Sequence, residues 1–243
     1  MGIPPAYGPI VRAMTTTVAP PPVYQTSIGK KVLMAASGVI LLLFVLVHMI
    51  GNLKVFLGAS EYNRYAEGLR TLLEPIFPRG YVLWAIRIVL IAAFVVHVVL
   101  AWQTASRSRA ARRTRYQHTG TVQADYAARS MRWGGVTILA FLFFHLANLT
   151  WGWLHPGFTY VRGDVYHNFV ESFEVWWITG LYLIAMVALG LHIYHGTWSV
   201  FQTFGANNKV WDQRIRRLAT SLAAIVVVGN SAMPIAVLVG AVR

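Results

Sequence analysis

Cysteine is absent from this chain of 243 residues. Its absence excludes a disulfide framework, a cysteine-ligated zinc site and an iron–sulfur cluster held by this chain alone. Charged residues are also scarce, at 12% of the chain, whereas soluble domains carry about 25%. With 56% apolar residues and a mean hydropathy of +0.53, the composition excludes a disordered chain and disfavours a soluble globular domain.

Five runs of about 20 predominantly apolar residues predict five transmembrane helices. Their approximate bounds are 32–53, 81–104, 133–154, 175–200 and 219–240. Because no strand-length alternation of apolar and polar residues recurs, we predict an all-α membrane protein, with the first four helices forming a cofactor-binding bundle. Prolines before the first run predict an extended cytoplasmic tail over residues 1–27, which leaves residues 28–243 as a five-span membrane anchor domain.

The basic residues are unevenly distributed between the two sides of the predicted membrane. Fourteen lysines and arginines flank the N-terminal side, six flank the other side, and Arg87 lies inside the second span. The positive-inside rule therefore predicts a cytoplasmic N-terminus and an external C-terminus. We expect this multi-pass protein in the cell inner (cytoplasmic) membrane. We interpret the arginine-rich segment 105–118 as a cytoplasmic loop that attracts anionic lipid, in preference to a nucleic-acid-binding segment.

Histidines recur inside the predicted spans. Five of the eight histidines lie there, namely His48, His97, His145, His192 and His195. An ionisable residue at that depth indicates function, although a single histidine can equally serve as an interhelical hydrogen-bonding group. Following the direction of each span, spans one and three carry histidine towards the outer side and spans two and four towards the inner side. At the helical rise the two levels are roughly 10–15 Å apart.

Two pairs of histidines at two depths are typical of bis-histidine haem ligation, in which an imidazole approaches the iron from each side. Zinc or copper sites gather their ligands at one level, and a proton relay would have to work without an Asp or Glu inside any predicted span. Glycines could make room for a haem or could simply permit close helix packing. They are Gly38, Gly51, Gly134, Gly135, Gly190 and Gly196.

The fourth span offers two candidate histidines. His192 and His195 are three residues apart and therefore lie about 60° apart around a helix, so that only one of them needs to be a ligand. The remaining histidines, His118, His155 and His167, lie in predicted loops, where solvent exposure is the default interpretation.

Four segments together resemble the membrane cytochrome b subunits of succinate dehydrogenase and fumarate reductase, in particular the single-chain, five-span, b558-type subfamily. They are TSIGKKVLMAASGVILLLFVLVHMIGNL (26–53), YNRYAEGLR (62–70), FHLANLTWG (144–152) and GLHIYHGTWSVFQTFG (190–205). The resemblance extends over roughly residues 25–230, which is most of the chain.

The resemblance implies a membrane anchor for a flavoprotein subunit and an iron–sulfur subunit, with electrons passing between succinate or fumarate and membrane quinone. Carried over by position, His48 and His145 would bind the iron of an outer haem b, and His97 and His195 that of an inner haem b, with His192 as a neighbour. The resemblance favours menaquinone and allows a higher oligomer of the complex. This chain itself would carry no succinate chemistry and bind no nucleic acid.

Residues around these sites have weaker assignments. By resemblance, Glu74 is the candidate proton-handling group of an outer quinone site, with Glu67 as an alternative, although each could be a solvated surface charge. Arg87 could pair with a haem propionate or with Glu74, or extend to the membrane boundary. An inner propionate would emerge near Ser27, Lys30 and Lys31.

Two alternatives to haem remain open. Two of the histidines could join two cysteines of a partner subunit on a Rieske-type [2Fe–2S] cluster, because that chemistry needs two ligands of each kind. The chain could also be a purely structural anchor whose histidines form interhelical hydrogen bonds. A small transporter is disfavoured, because no inverted repeat with broken helices is evident.

Overall fold

The computed structural model describes residues 22, 26–110, 122–206 and 208–243, and within these residues the chain forms seven α-helices and no strand. The helices are α1 (Ser27–Asn52), α2 (Ala59–Arg70), α3 (Tyr81–Ala110), α4 (Val122–His145), α5 (Val165–Glu174), α6 (Trp176–Thr203) and α7 (Lys209–Leu238). Five of them are long and apolar enough to cross a membrane, which confirms the prediction of an all-α membrane protein. Most of the predicted tail and the arginine-rich segment from residue 111 onwards, with His118, lie outside the described residues.

Three of the membrane-spanning helices, α1, α4 and α7, begin earlier than the apolar runs that predicted them, whereas α3 and α6 begin within one residue of the predicted start. The helix α1 starts at Ser27 because the Thr26 side chain accepts a hydrogen bond from the backbone N–H of Gly29, at 2.9 Å. The helix α7 starts ten residues before the predicted 219, where the Asn208 side chain accepts from the backbone N–H of Trp211. The polar residues of these first turns escape a search for hydrophobic runs, whereas the capping residues are visible in the sequence.

The five long helices pack as a hairpin and a three-helix unit. The hairpin consists of α1 against α3, whereas in the second unit α6 packs against both α4 and α7. The units meet mainly where α1 approaches α6 and α7. Gly229 of α7 permits close approach there, because an added Cβ would overlap Met49 of α1. Gly190 has the same role inside the second unit, where its added Cβ would overlap Val227 of α7. Between α1 and α4, and between α3 and α6, backbone contact is sparse among the described residues.

The short helices α2 and α5 lie at one end of the bundle, beside the C-terminal ends of α1 and α7, which we call the outer end. A cluster of buried side chains fills this end, including Val55, Tyr62, Phe169, Phe173, Ile178, Tyr182, Met233 and Val237. Asp164 connects α5 to α2, because its carboxylate accepts from the backbone N–H of His167 and from the Asn63 side chain, both at 3.0 Å. These hydrogen bonds lower the pKa of Asp164 below its ordinary value.

Candidate functional site

Four of the five predicted histidines form two facing pairs. His48 of α1 faces His145 of α4 with the ring centroids 5.9 Å apart, and His97 of α3 faces His192 of α6 with the centroids 6.1 Å apart. Two metal–imidazole bonds of about 2 Å each place the ligating nitrogens about 4 Å apart and the ring centroids about 6 Å apart. Both pairs therefore have the spacing of two imidazoles on opposite sides of one metal ion.

Each pair bridges two helices that make little backbone contact with each other. The outer pair lies between α1 and α4, and the inner pair lies between α3 and α6. Among the described residues, no third His, Asp or Glu joins either pair to form a larger ligand group. Each pair therefore offers two nitrogen ligands, fewer than the four protein ligands of a closed structural zinc site.

A hydrogen bond at Nδ1 orients the His145 ring and leaves the other ring nitrogen, Nε2, available to a metal. Its Nδ1 lies 3.2 Å from the hydroxyl oxygen of Tyr182, and that hydroxyl donates to Oδ1 of Asn148 at 3.1 Å. The single hydroxyl hydrogen is thus used on Asn148, so the Tyr182 oxygen accepts from the N–H at Nδ1 of His145. This arrangement leaves Nε2 of His145 with a free lone pair.

His97 is oriented in the same sense by the backbone of α1. Its Nδ1 lies 3.1 Å from the carbonyl oxygen of Met34 and 3.5 Å from the Ser37 hydroxyl. A carbonyl can only accept, so Nδ1 carries the hydrogen and Nε2 has the free lone pair. Gly38 permits this contact, because a Cβ there would lie 3.1 Å from Cε1 of His97.

The second member of each pair has fewer fixed contacts. The His48 ring stacks on Phe44 at 5.2 Å between centroids. His192 lies beside Gly135, whose added Cβ would be 4.0 Å from Cε1 of the ring. Nδ1 of His192 is buried and has no hydrogen-bond partner within the described part of the chain. A buried nitrogen without a partner is uncommon in native proteins and indicates a site that a further group completes.

His195 is not brought into the inner pair. Its recorded ring contact is with the adjacent Tyr194, whereas His192 occupies the position opposite His97. The assignment of His195 as inner ligand therefore remains a prediction from resemblance, and the geometry favours His192. The spacing of the two histidines on one helix could not distinguish them.

The more peripheral candidates lie away from the histidine rings. Arg87 is exposed and its guanidinium lies 4.9 Å from the centroid of the Trp84 ring, an arrangement in keeping with extension to the membrane boundary. Glu67 forms ion pairs with Arg70 and Arg79, whereas Glu74 is exposed on the connection between α2 and α3.

At the inner end of α1, one candidate propionate-binding residue is already engaged. Nζ of Lys30 donates to Oε1 of Gln103 on α3 at 2.5 Å, and this contact connects the two helices of the hairpin. Ser27 and Lys31 are exposed.

Comparison with known proteins adds no identification. No protein-family model matches the chain, and no curated protein or solved structure matches it significantly. The histidine geometry and the four segments described above remain the features of this chain that point to a function.

Proposed function

We propose that this chain is the membrane anchor and cytochrome b subunit of a succinate:quinone oxidoreductase, with two bis-histidine haems b. The observation that carries the proposal is that the outer and the inner histidine pair each have ring centroids about 6 Å apart. The outer haem would be held by His48 and His145, and the inner haem by His97 and His192.

Three properties of the chain's own residues suit haem. The two helices that carry each pair make little backbone contact with each other, so a bound group would displace few contacts. Gly38 and Gly135 place no side chain of their own against the inner rings. His97 and His145 already donate from Nδ1, the arrangement that directs Nε2 at a metal. A haem held by the two histidines of a pair would supply one-electron transfer.

The position of the two pairs suits electron transfer across the bundle. The outer pair comes from α1 and α4 and the inner pair from α3 and α6, at two levels of one bundle. A bound group at each level would divide the distance through the apolar region into two shorter steps. The surrounding apolar side chains would exclude water from both levels.

The flavoprotein and iron–sulfur partners, the cytoplasmic N-terminus and the use of menaquinone enter the proposal from resemblance and from charge distribution. An outer quinone would accept electrons near the outer pair. Glu74 is the better proton-handling candidate there, because Glu67 is neutralised by two arginines whereas Glu74 is exposed.

The test is haem content and optical spectrum of the complex purified from membranes. We expect a reduced b-type absorption band and about two haems per chain by pyridine haemochrome. A Rieske-type electron paramagnetic resonance signal without haem would instead support the cluster shared with a partner. Absence of both signals would support a purely structural anchor.

A further inference from the structure

A hydrogen-bonded network of buried polar side chains extends from His145 to the outer end of the bundle. It consists of Tyr182 on α6, Asn148 after α4 and Ser172 on α5. The exposed fractions are 6% for Tyr182 and 0% for both Asn148 and Ser172. Buried polar groups are costly unless they are satisfied, and this set satisfies itself through residues from three separate segments.

One backbone carbonyl determines which group donates and which accepts in each hydrogen bond of this network. Nδ2 of Asn148 donates to the carbonyl oxygen of Leu154 at 2.8 Å and to the Ser172 hydroxyl at 3.1 Å. The amide nitrogen must therefore face Leu154, which leaves Oδ1 facing Tyr182 as an acceptor only. Tyr182 must then donate to Asn148 and accept from His145, so the network permits one tautomer of His145.

The local backbone and the aromatic packing hold this network in place. Residues 146–150 form a π-helical turn immediately after His145, with the backbone N–H of Trp151 bonded to the carbonyl of Leu146 at 2.7 Å. Single π-helical turns of this kind occur frequently at functional sites. The Tyr182 ring is enclosed by Phe173 at 4.6 Å and Phe141 at 4.9 Å between centroids, so its hydroxyl has little freedom to move.

We propose that Tyr182, held by Asn148 and Ser172, is a positioning residue that keeps Nε2 of His145 as the ligating nitrogen and increases the basicity of that imidazole. The proposal rests on the proposed function and deepens it, because it names a side chain that sets the potential of the outer haem, whereas the corresponding partner at the inner site is a backbone carbonyl. A hydrogen bond donated from the distal ring nitrogen makes a histidine a stronger donor to its metal. A stronger donor favours the ferric state, so the bond should lower the midpoint potential of the outer haem.

The test is Tyr182→Phe in the whole complex, because this change keeps the ring packing and removes only the hydroxyl. We expect the midpoint potential of the outer haem to rise while that of the inner haem is unchanged, with both haems still bound. The matched control is Tyr62→Phe. Tyr62 is also a buried outer-end tyrosine, with 3% exposure, and its hydroxyl donates to Asn52 rather than to a histidine. This control should leave both potentials unchanged.

A measurement on the unaltered complex covers the case in which Tyr182→Phe does not assemble. Pulsed electron–nuclear double resonance on ¹⁵N-histidine-labelled protein should detect a strongly hydrogen-bonded exchangeable Nδ1 proton on one ligand of the outer haem and a weakly bonded one on the other ligand. Unchanged potentials in Tyr182→Phe, or two equivalent Nδ1 protons at the outer haem, would overturn this proposal while leaving the haem assignment intact. A complex that contains no haem would overturn the proposed function itself.

Discussion

The two histidine pairs are similar in spacing but differ in how the protein supports them. The outer pair lies beside the aromatic cluster at the outer end, and its His145 is held by the side chains of Tyr182 and Asn148. Among the described residues, the inner pair has no comparable network of hydrogen-bonded side chains. His97 depends on a backbone carbonyl of α1, and Nδ1 of His192 has no partner there.

This difference indicates which site the fold builds by itself. At the outer site, side chains from α5, α6 and the turn after α4 hold His145 by packing and by hydrogen bonds. The inner site relies on the contact of one hairpin and on a glycine that makes room for a ring. Under the proposed function, the inner site is therefore the one whose properties should respond more to bound cofactor and to partner subunits.

Loss of an outer ligand should give the largest effect. Under the proposed function, His145→Ala leaves His48 without the second histidine of the outer pair, so we expect the outer haem component to disappear and the inner one to persist, with about one haem per chain. Pyridine haemochrome and a redox titration measure this. His155→Ala, which alters a histidine on the connection before α5, is the control. Simultaneous loss of both components would contradict two independent pairs.

The next largest effect should be a difference between the two histidines of the fourth span when each is replaced by alanine. His192→Ala should remove the inner haem component, because His192 lies opposite His97, whereas His195→Ala should retain it. The two variants change the same residue type on the same helix, so each is the control for the other. Loss of the inner component in His195→Ala alone would restore the assignment that resemblance suggests.

A single methyl group should disturb the inner site but not the outer one. Gly→Ala inside a helix ordinarily stabilises by up to about 1 kcal/mol, whereas overpacking costs about 1–3 kcal/mol. At Gly38 the added Cβ would lie 3.1 Å from the His97 ring, so we expect Gly38→Ala to reduce inner haem content and to lower thermal stability in detergent.

Gly180→Ala is the matched control for that substitution, because nothing lies within 4 Å of its added Cβ. It should leave haem content unchanged. Equal behaviour of the two variants would show that Gly38 serves only general helix packing.

The outer end should respond weakly to loss of the Asp164 cap. Asp164→Ala should cost about 0.5–2 kcal/mol of local stability, and Asp164→Asn should retain most of it, since both Asp and Asn cap helices well. The pKa of Asp164 is lowered from 3.8, so its contribution is fully present above pH 3.8 and is lost as pH falls through the lowered pKa.

Hydrogen exchange of the α5 amides measures this change. The inner haem should remain unaffected. Equal protection of α5 in Asp164→Ala and in the unaltered protein would show that the cap is not needed.

The sequence sufficed for the features that depend on hydrophobicity and chain direction. The five spans and the grouping of His48 with His145 at one level follow from these alone. It could not choose between His192 and His195, because that choice depends on the rotation of α6 against α3. It also could not associate Tyr182 with Asn148, since 34 residues separate them and only tertiary packing brings them together. The contact of Arg87 with Trp84 differs from these, because the two residues are three positions apart on one helix and such spacing makes them neighbours.

The division of the bundle into a hairpin and a three-helix unit has a consequence for biogenesis. Each histidine pair takes one residue from the hairpin, His48 or His97, and its counterpart from the second unit, His145 or His192. The hairpin is synthesised first and can enter the lipid before its counterparts exist. A group bound between the two units would then link them after insertion. Cofactor supply would therefore determine how much of the newly made protein reaches its assembled form.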